Sequence, residues 1–376
     1  MAGIYIHIPF CKQACYYCDF HFSTQTDLKE RLVQALAREL ELQKEYLQKE
    51  RIDTIYFGGG TPSLLSAGEL DFILNTIHRY HPVTPQPEIT LEANPDDLTK
   101  EKISDIRTVG INRLSIGIQS FDDAILKKLN RAHLASDALL SVMRAQEAGI
   151  HNISIDLIYS IPEQSDAQLL DNLEKACQLK PTHISTYSLT IEEKTVFGRW
   201  NQKGKFLAMQ EDQSAKQFEL VMDQLIERGF EHYEISNFAQ PGFYSQHNTS
   251  YWQQKKYLGI GPSAHSYNFV SRQFNIANNS KYIQAIASGT LPSEVEILSL
   301  KDKINEHIFT GLRTQWGVNL KYLKETLHFN ITTELKEQLV KLQKLKLITL
   351  DEAQSTLLLT REGKLVADQV AADLFQ

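Results

Sequence analysis

At 376 residues with 42% hydrophobic content, the chain has room for one large domain plus one or two small ones and the composition of an ordinary soluble protein. A net charge of −7 with no basic stripe argues against a broad nucleic-acid footprint, because phosphate binding needs clustered cations. No apolar run reaches about 18 residues and only ten residues precede Cys11, so neither a membrane span nor a cleaved leader is expected.

The first predicted element is a short apolar strand, Ile4–Ile8, and directly behind it stand Cys11, Cys15 and Cys18 in a C-x3-C-x2-C spacing. That spacing gathers three thiolates around one point and leaves a fourth position without a cysteine, which is how a reactive iron–sulfur cluster keeps one iron open. A zinc site closed by His7 or His21 is the alternative. Four cysteines in a chain of this length do not make a disulfide framework, and a reducing cytoplasm is expected. The fourth, Cys177, sits in a helix-like stretch without neighbouring ligands and reads as a small buried hydrophobe.

A helix is predicted over Leu28–Lys49, then a strand over Thr54–Phe57 that runs into Gly58-Gly59-Gly60-Thr61-Pro62. Alone, a glycine run signals only a turn. Further strands read at Glu88–Glu92, Arg113–Ile118, Asn152–Ile158 and His183–Ser188, with helices at Ala67–Arg79, Lys100–Val109, Asp122–Lys128, Asp137–Ala148 and Ala167–Cys177. Six strand–helix repeats predict an α/β fold, a partial and open (β/α)6 barrel over residues 1–190. In such barrels chemistry gathers at the carboxyl ends of the strands, where Cys11, Gly59, Glu92, Gln119, Asp156 and Tyr187 fall.

Beyond residue 190 the alternation stops. A helix over Met209–Gly229 leads to an alternating strand at 231–236 and a polar, aromatic stretch over His247–Tyr267, which together read as a barrel extension, 191–298. From residue 299 helices, a hairpin (Leu347–Leu350 and Thr356–Thr360) and a last helix from Glu362 predict a small winged-helix-like module, 299–376. Its Lys336, Lys341, Lys344 and Lys346 are balanced by Glu334, Glu337, Asp351 and Glu352, a solvated face rather than a nucleic-acid surface.

The cysteine spacing together with the glycine turn resembles the radical S-adenosylmethionine (SAM) enzymes. The resemblance implies a [4Fe–4S] cluster on Cys11, Cys15 and Cys18, with SAM closing the unique iron and cleaved by electron transfer to a 5′-deoxyadenosyl radical. Within that superfamily, Tyr5-Ile6-His7-Ile8-Pro9-Phe10-Cys11 resembles the coproporphyrinogen III oxidase-like branch. By the same resemblance Tyr5, Tyr17, Gly59, Gly60, Thr61, Glu92, Gln119, Arg131 and Asp156 contact SAM, Arg131 as the partner of a carboxylate.

The decarboxylating oxidases of this branch carry a fourth cysteine where this chain has Phe20, and an amino-terminal extension that is missing here. His247-Asn248-Thr249-Ser250-Tyr251-Trp252 instead matches the H-N-x-x-Y-W motif of the branch's heme chaperones, as does Leu258–His265. Histidine is a common axial ligand of heme iron and aromatic rings stack on porphyrins, so His247, Tyr251 and Trp252 form the expected heme site. Judged without the motif, a lone histidine is more often hydrogen-bonded in a loop, and His265 and His133 read as structural. The expectation is a cytoplasmic heme chaperone on a radical SAM scaffold. It holds cluster, SAM and heme, takes electrons from a donor, is able to cleave SAM, and passes heme to an acceptor protein. The alternative is an oxygen-independent coproporphyrinogen III oxidase, with a redox-sensing cluster protein behind it.

Overall fold

The computed structural model describes residues 2–351 and 353–376, so Glu352 of the expected charge balance lies outside the described residues. The six predicted strands all form: β1 (Ala2–Ile8), β2 (Ile52–Gly59), β3 (Val83–Ala93), β4 (Arg113–Gln119), β5 (Asn152–Tyr159) and β6 (His183–Ser188), parallel and adjacent in chain order. Helices cross between them, as a parallel sheet requires. Fully covered parallel strands read as continuous apolar runs, but these alternate. Ile4, Ile6, Ile8, Ile55, Phe57, Leu91, Leu114, Ile116, Ile153 and Ile155 are fully buried and share one core with the helix residues Leu36, Leu40, Leu70, Ile73, Ile106, Val142 and Leu173. The opposite face presents Tyr5, His7, Tyr56, Glu88, Glu92, Arg113, Ser115, Asp156, His183 and Ser185 by the period-two rule. Polar groups on the inner face mark a barrel built around a site.

Among the described residues the sheet has twelve strands, because residues 231–297 extend both edges. On one side β7 (Glu231–Glu234) and β8 (Asn237–Ala239) form a hairpin antiparallel to β6. On the other, β9 (Tyr257–Ile260) pairs parallel with β1, followed by β10 (His265–Tyr267), β11 (Ser271–Asn275) and β12 (Ser293–Ile297) in antiparallel order. β7 falls in the predicted alternating stretch 231–236, which turns back after Glu234, and the others, at three to five residues each, are too short to leave a clear periodic signal. Between the edges lies a short helix, Gln246–Trp252, that carries the predicted heme motif. The carboxyl-terminal region has its own core around Ile308, Leu323, Leu342, Leu357 and Leu374. A small antiparallel sheet adds β13 (Val318–Asn319) to the expected hairpin of β14 (Ile348–Asp351) and β15 (Thr356–Leu359). No helix among the described residues is long and apolar enough to cross a membrane.

The largest boundary shifts are at β3, which begins at Val83 rather than Glu88, and at the first helix. The first helix ends at Leu42 rather than Lys49, and the chain then turns, with Gln48 and Lys49 at φ 52° and 62°. Seven more helical residues would lengthen the helix by roughly 10 Å, while the chain has to return to the start of β2 at Ile52. The turns instead bring Leu47 into the core.

Glu39 ties this helix to the extension. It is fully buried and accepts hydrogen bonds from Gln43 Nε2 (2.9 Å), the Gly261 amide (2.8 Å), Asn275 Nδ2 (2.7 Å) and the Tyr282 hydroxyl. Burial raises its pKa, and the four donors act in the opposite direction. Glu39→Ala strands these donors in the core, and a loss of about 3 kcal/mol is expected in urea unfolding. A loss below about 0.5 kcal/mol, the level of an ordinary surface substitution, would show that the network does not fasten the extension.

Candidate functional site

The cysteine loop follows β1 and is clamped from three sides. The Cys11 amide donates to Ser23 O (3.0 Å), Asn130 Nδ2 to Ala14 O (2.7 Å), and the Tyr16 amide to Leu129 O (3.2 Å). The glycine turn after β2 closes on it, with the Gly60 amide on Ile8 O (2.9 Å) and the Thr61 amide on Phe10 O (2.7 Å). A Cβ at Gly60 would lie 2.7 Å from Phe10 O and 3.0 Å from Cys11 Sγ, so only glycine lets the turn approach. Gly59 has φ +111° and rests on the His7 ring, which a Cβ would meet at 2.7 Å.

Cys11, Cys15, Tyr17, Cys18, Gly59, Gly60, Thr61, Glu92, Gln119, Arg131 and Asp156, expected at the site, all line one cavity of about 550 Å3 at the carboxyl ends of the strands. Gln119 stands at a register shift between β4 and β5 with φ 68°, a left-handed conformation unusual for a non-glycine residue and typical of functional positions. Arg131 Nη2 donates to Asn94 Oδ1 and Gly117 O, both at 2.7 Å, while Nη1 points to Cys15 Sγ at 3.2 Å. Its Nε is buried without a partner. Asn94 also donates to Thr61 Oγ1 (3.3 Å) and so links the glycine turn to Arg131. Sequence reasoning gave Asn94 no role, although it follows Glu92 by two places at the end of β3.

The electrostatics of the cavity follow from burial. Glu92 accepts from the Tyr56 hydroxyl (2.8 Å) and the Gly59 amide (3.1 Å), but loss of solvent dominates and raises its pKa to about 7. Asp156 is raised by the same cause and is held by the Ser115 hydroxyl at 3.2 Å. Burial also lifts the Cys11 thiol, and pushes Cys18 up to about 12. Thiols bind iron as thiolates, so iron loading releases protons.

The residues present fit a thiolate-held cluster with SAM beside it. Three free thiols share one wall, Gly60 leaves the space next to Cys11, and Arg131 Nε is an orphaned donor among them. The zinc alternative loses its fourth ligand. His7 Nε2 bonds to His21 O (2.9 Å) and Nδ1 to the Tyr5 hydroxyl (3.2 Å), while His21 Nε2 bonds to Asn279 Oδ1 (2.8 Å). Among the described residues no three His, Cys, Asp or Glu side chains close on a single metal ion.

The other four predicted residues lie elsewhere. Tyr5 does not line the cavity and sits beneath it, against Gly58, Tyr56 and His247. The helix carrying His247, Tyr251 and Trp252 closes the amino end of the barrel, opposite the cysteines. There the Gln246 and His247 amides donate to Glu88 (3.3 and 3.1 Å), and the His247 ring lies over Gly3, where a Cβ would be 3.0 Å away. His247 is 1% exposed. Its Nδ1 shares a hydrogen bond with the Thr54 hydroxyl and its Nε2 with the Tyr251 hydroxyl, both at 2.7 Å. Both ring nitrogens are thus engaged by hydroxyl groups of the protein in this conformation. Trp252 is half-buried under the Arg313 guanidinium, 5.3 Å from its ring.

Comparison with known proteins accords with this geometry. The Radical SAM superfamily matches residues 5–176, and the HemN C-terminal domain matches residues 298–366. The chain is 36% identical to heme chaperone HemW of Bacillus subtilis (strain 168) over 373 residues, 98% of each chain. It is 38% identical to heme chaperone HemW of Lactococcus lactis over 345 residues, 92% of this chain and 90% of that one. Among solved structures, coproporphyrinogen III oxidase (HemN) from Escherichia coli superposes with a TM-score of 0.85 at 20% identity, covering 100% of this chain and 90% of that one. At that identity the likeness carries the fold.

Replacement of Cys11, Cys15 or Cys18 by Ala should abolish the broad absorption near 400 nm after anaerobic reconstitution, expected at about four irons per chain, and Cys177→Ala should leave it intact. Stoichiometric zinc with no iron uptake would overturn the assignment. Arg131→Ala should weaken SAM binding more than Arg131→Lys in calorimetric titration, since lysine keeps the charge but not the planar fork. Equal losses would show that charge alone matters.

Proposed function

The chain belongs to the HemW family within the radical SAM superfamily, and we propose that it is a cytoplasmic heme chaperone that binds heme and passes it to an acceptor protein. The likeness to heme chaperones over 98% of both chains carries this reading, because the fold alone is shared with the oxidase. Position 20 separates the two locally. Phe20 stands at the cavity wall, 74% exposed, where the decarboxylating oxidases carry a cysteine.

Cys11, Cys15 and Cys18 would hold a [4Fe–4S] cluster and the surrounding cavity SAM, and the bound pair would supply one-electron chemistry once an electron donor delivers the electron. This chain's own part is positioning. Arg131 keeps a fixed positive charge beside Cys15 and Asn94, the Gly60 turn sets the wall next to Cys11, and Glu92 and Asp156 offer buried acceptors.

Heme, as cargo, is assigned to the helix at the amino end of the barrel. The observation that supports it is an aromatic set, Tyr5, Tyr56, Tyr251 and Tyr257, around a histidine whose pKa burial lowers to about 3, so that the ring is neutral and suited to ligate a metal. Ligation requires the Tyr251 hydroxyl to leave Nε2. Tyr251 lies one helical turn from His247 on the same short helix, whereas Thr54 lies on β2.

Hemin should bind at about one per chain with a shifted Soret band. His247→Ala should weaken it about tenfold, roughly 1.4 kcal/mol, without changing cluster absorption. Tyr251→Phe removes the competing hydroxyl and should bind hemin more tightly than wild type. Release of carbon dioxide from coproporphyrinogen with SAM and reductant, together with hemin binding no better than that of an unrelated acidic protein, would replace the chaperone by the oxidase.

A further inference from the structure

The two ends of the barrel are joined through its interior by one continuous set of contacts. At the amino end the His247 ring is fixed by Thr54 and Tyr251, and it stacks on Tyr56 with ring centroids 5.1 Å apart and planes 26° from parallel. Tyr5 flanks the pair, stacked on Tyr56 at 6.1 Å and on His247 at 6.4 Å. At the other end of the Tyr56 side chain its hydroxyl donates to Glu92 Oε1 (2.8 Å), and Glu92 Oε2 accepts the Gly59 amide (3.1 Å). Two glycines make room for this column. A Cβ on Gly3 would lie 2.8 Å from Thr54 Oγ1 and 3.0 Å from the His247 ring. One on Gly58 would lie 2.8 Å from Tyr5, 2.9 Å from Tyr56 and 3.1 Å from Glu92. In strand interiors glycine usually costs stability, and here both positions are spent on close approach.

We propose that Tyr56 is a positioning residue that couples the His247 ring, at the amino end of the barrel, to the Glu92–Gly59 grip on the wall of the SAM cavity, so that SAM affinity depends on a histidine that does not touch SAM. Tyr56 is buried with little space to either side, and its hydroxyl reaches Glu92 only while the ring keeps its tilt. The His247 ring covers one of its faces. Removing that ring opens a void beside Tyr56, which relaxes toward it, and Glu92 loses the donor that holds Oε1. A carboxylate released from one of its two donors no longer presents a fixed acceptor, and the Gly59 amide that it steadies lies in the glycine turn. The proposal rests on the SAM part of the reading above and on nothing about heme.

A double-mutant cycle on the anaerobically reconstituted full chain tests it, with SAM dissociation constants from calorimetry. Tyr56→Phe, which deletes only the hydroxyl, should weaken SAM about tenfold, as expected for a hydrogen bond to a charged group. His247→Ala should weaken it several-fold, and should cost nothing further in the Tyr56→Phe background. His247→Phe keeps a flat ring over Tyr56 and should restore most of the affinity, which a generally disordered barrel would not do. Independent factors that multiply, or a His247→Ala affinity within twofold of wild type, would overturn the coupling. A second readout needs no ligand: deuterium uptake of the segment 54–61 in the unloaded chain should rise in His247→Ala and return to wild type in His247→Phe. If wild type fails to bind SAM, the SAM reading falls and this exchange measurement decides the coupling, with unchanged uptake counting against it. Should His247→Ala not fold, Thr54→Val, which removes the Nδ1 partner, takes its place in both measurements with the same expected directions.

Discussion

The site depends on how closely the turn after β2 approaches the chain after β1. With Gly60 against Phe10 O and Cys11 Sγ, the amides of Gly60 and Thr61 pair with carbonyls of the segment that introduces the cysteines. The cysteine loop is therefore held from its root, and its far side rests on Leu129 and Asn130 of the loop that carries Arg131. Any side chain at position 60 would force these strands apart at their carboxyl ends, displacing the wall that Cys11 shares with Glu92. Residues distant in the chain are thereby brought to one cavity with backbone precision, as a set of thiol ligands demands.

Charge in the interior follows a second constraint. Arg113 is 1% exposed with an unpartnered Nε. Its field favours the charged forms of Glu92 and Asp156, against desolvation that favours the neutral forms. Glu39 faces the same cost on the outer side of the sheet and is compensated by four donors. The contrast is physical: a carboxylate meant to fasten two pieces of structure is saturated with hydrogen bonds, whereas carboxylates on a cavity wall keep acceptor capacity for a ligand.

Legibility in the sequence tracked the range of the forces involved. The barrel strands are legible as short β-branched runs between helical stretches, and Gly59, Glu92 and Gln119 because each stands at or next to the end of a strand, whereas Tyr17 and Arg131 lie in loops and are reached only through the family resemblance. The edge strands β7 to β12 were mostly missed: their pairing is decided by neighbours far along the chain, such as Tyr5 opposite Gly259, and a run of three to five residues carries little local preference. The first helix was read seven residues too long for a similar reason, since the position of β2, not helix propensity, ends it. Asn94 and Tyr56 escaped notice because their roles are made by partners on other strands, Arg131 and Glu92.

His247 shows most clearly what a motif does and does not convey. Its spacing to Tyr251 is one helical turn, which suffices to place hydroxyl and imidazole together, and the structure does place them 2.7 Å apart. What the spacing cannot convey is that Thr54, on another element, takes the remaining nitrogen, or that the helix faces the amino end of the barrel while the cysteines face the other. A histidine with both nitrogens engaged is a stable structural group, and it becomes a ligand only when one partner yields. One of those partners, Tyr251, lies in the same column that ends at Glu92. Any ligand that moves the His247 ring therefore acts on contacts that also shape the SAM cavity, and by thermodynamic reciprocity SAM must then act on that ligand to the same extent. The contacts that would carry such reciprocity in this chain are ordinary ring stacking, hydrogen bonds and two glycines placed where no side chain fits.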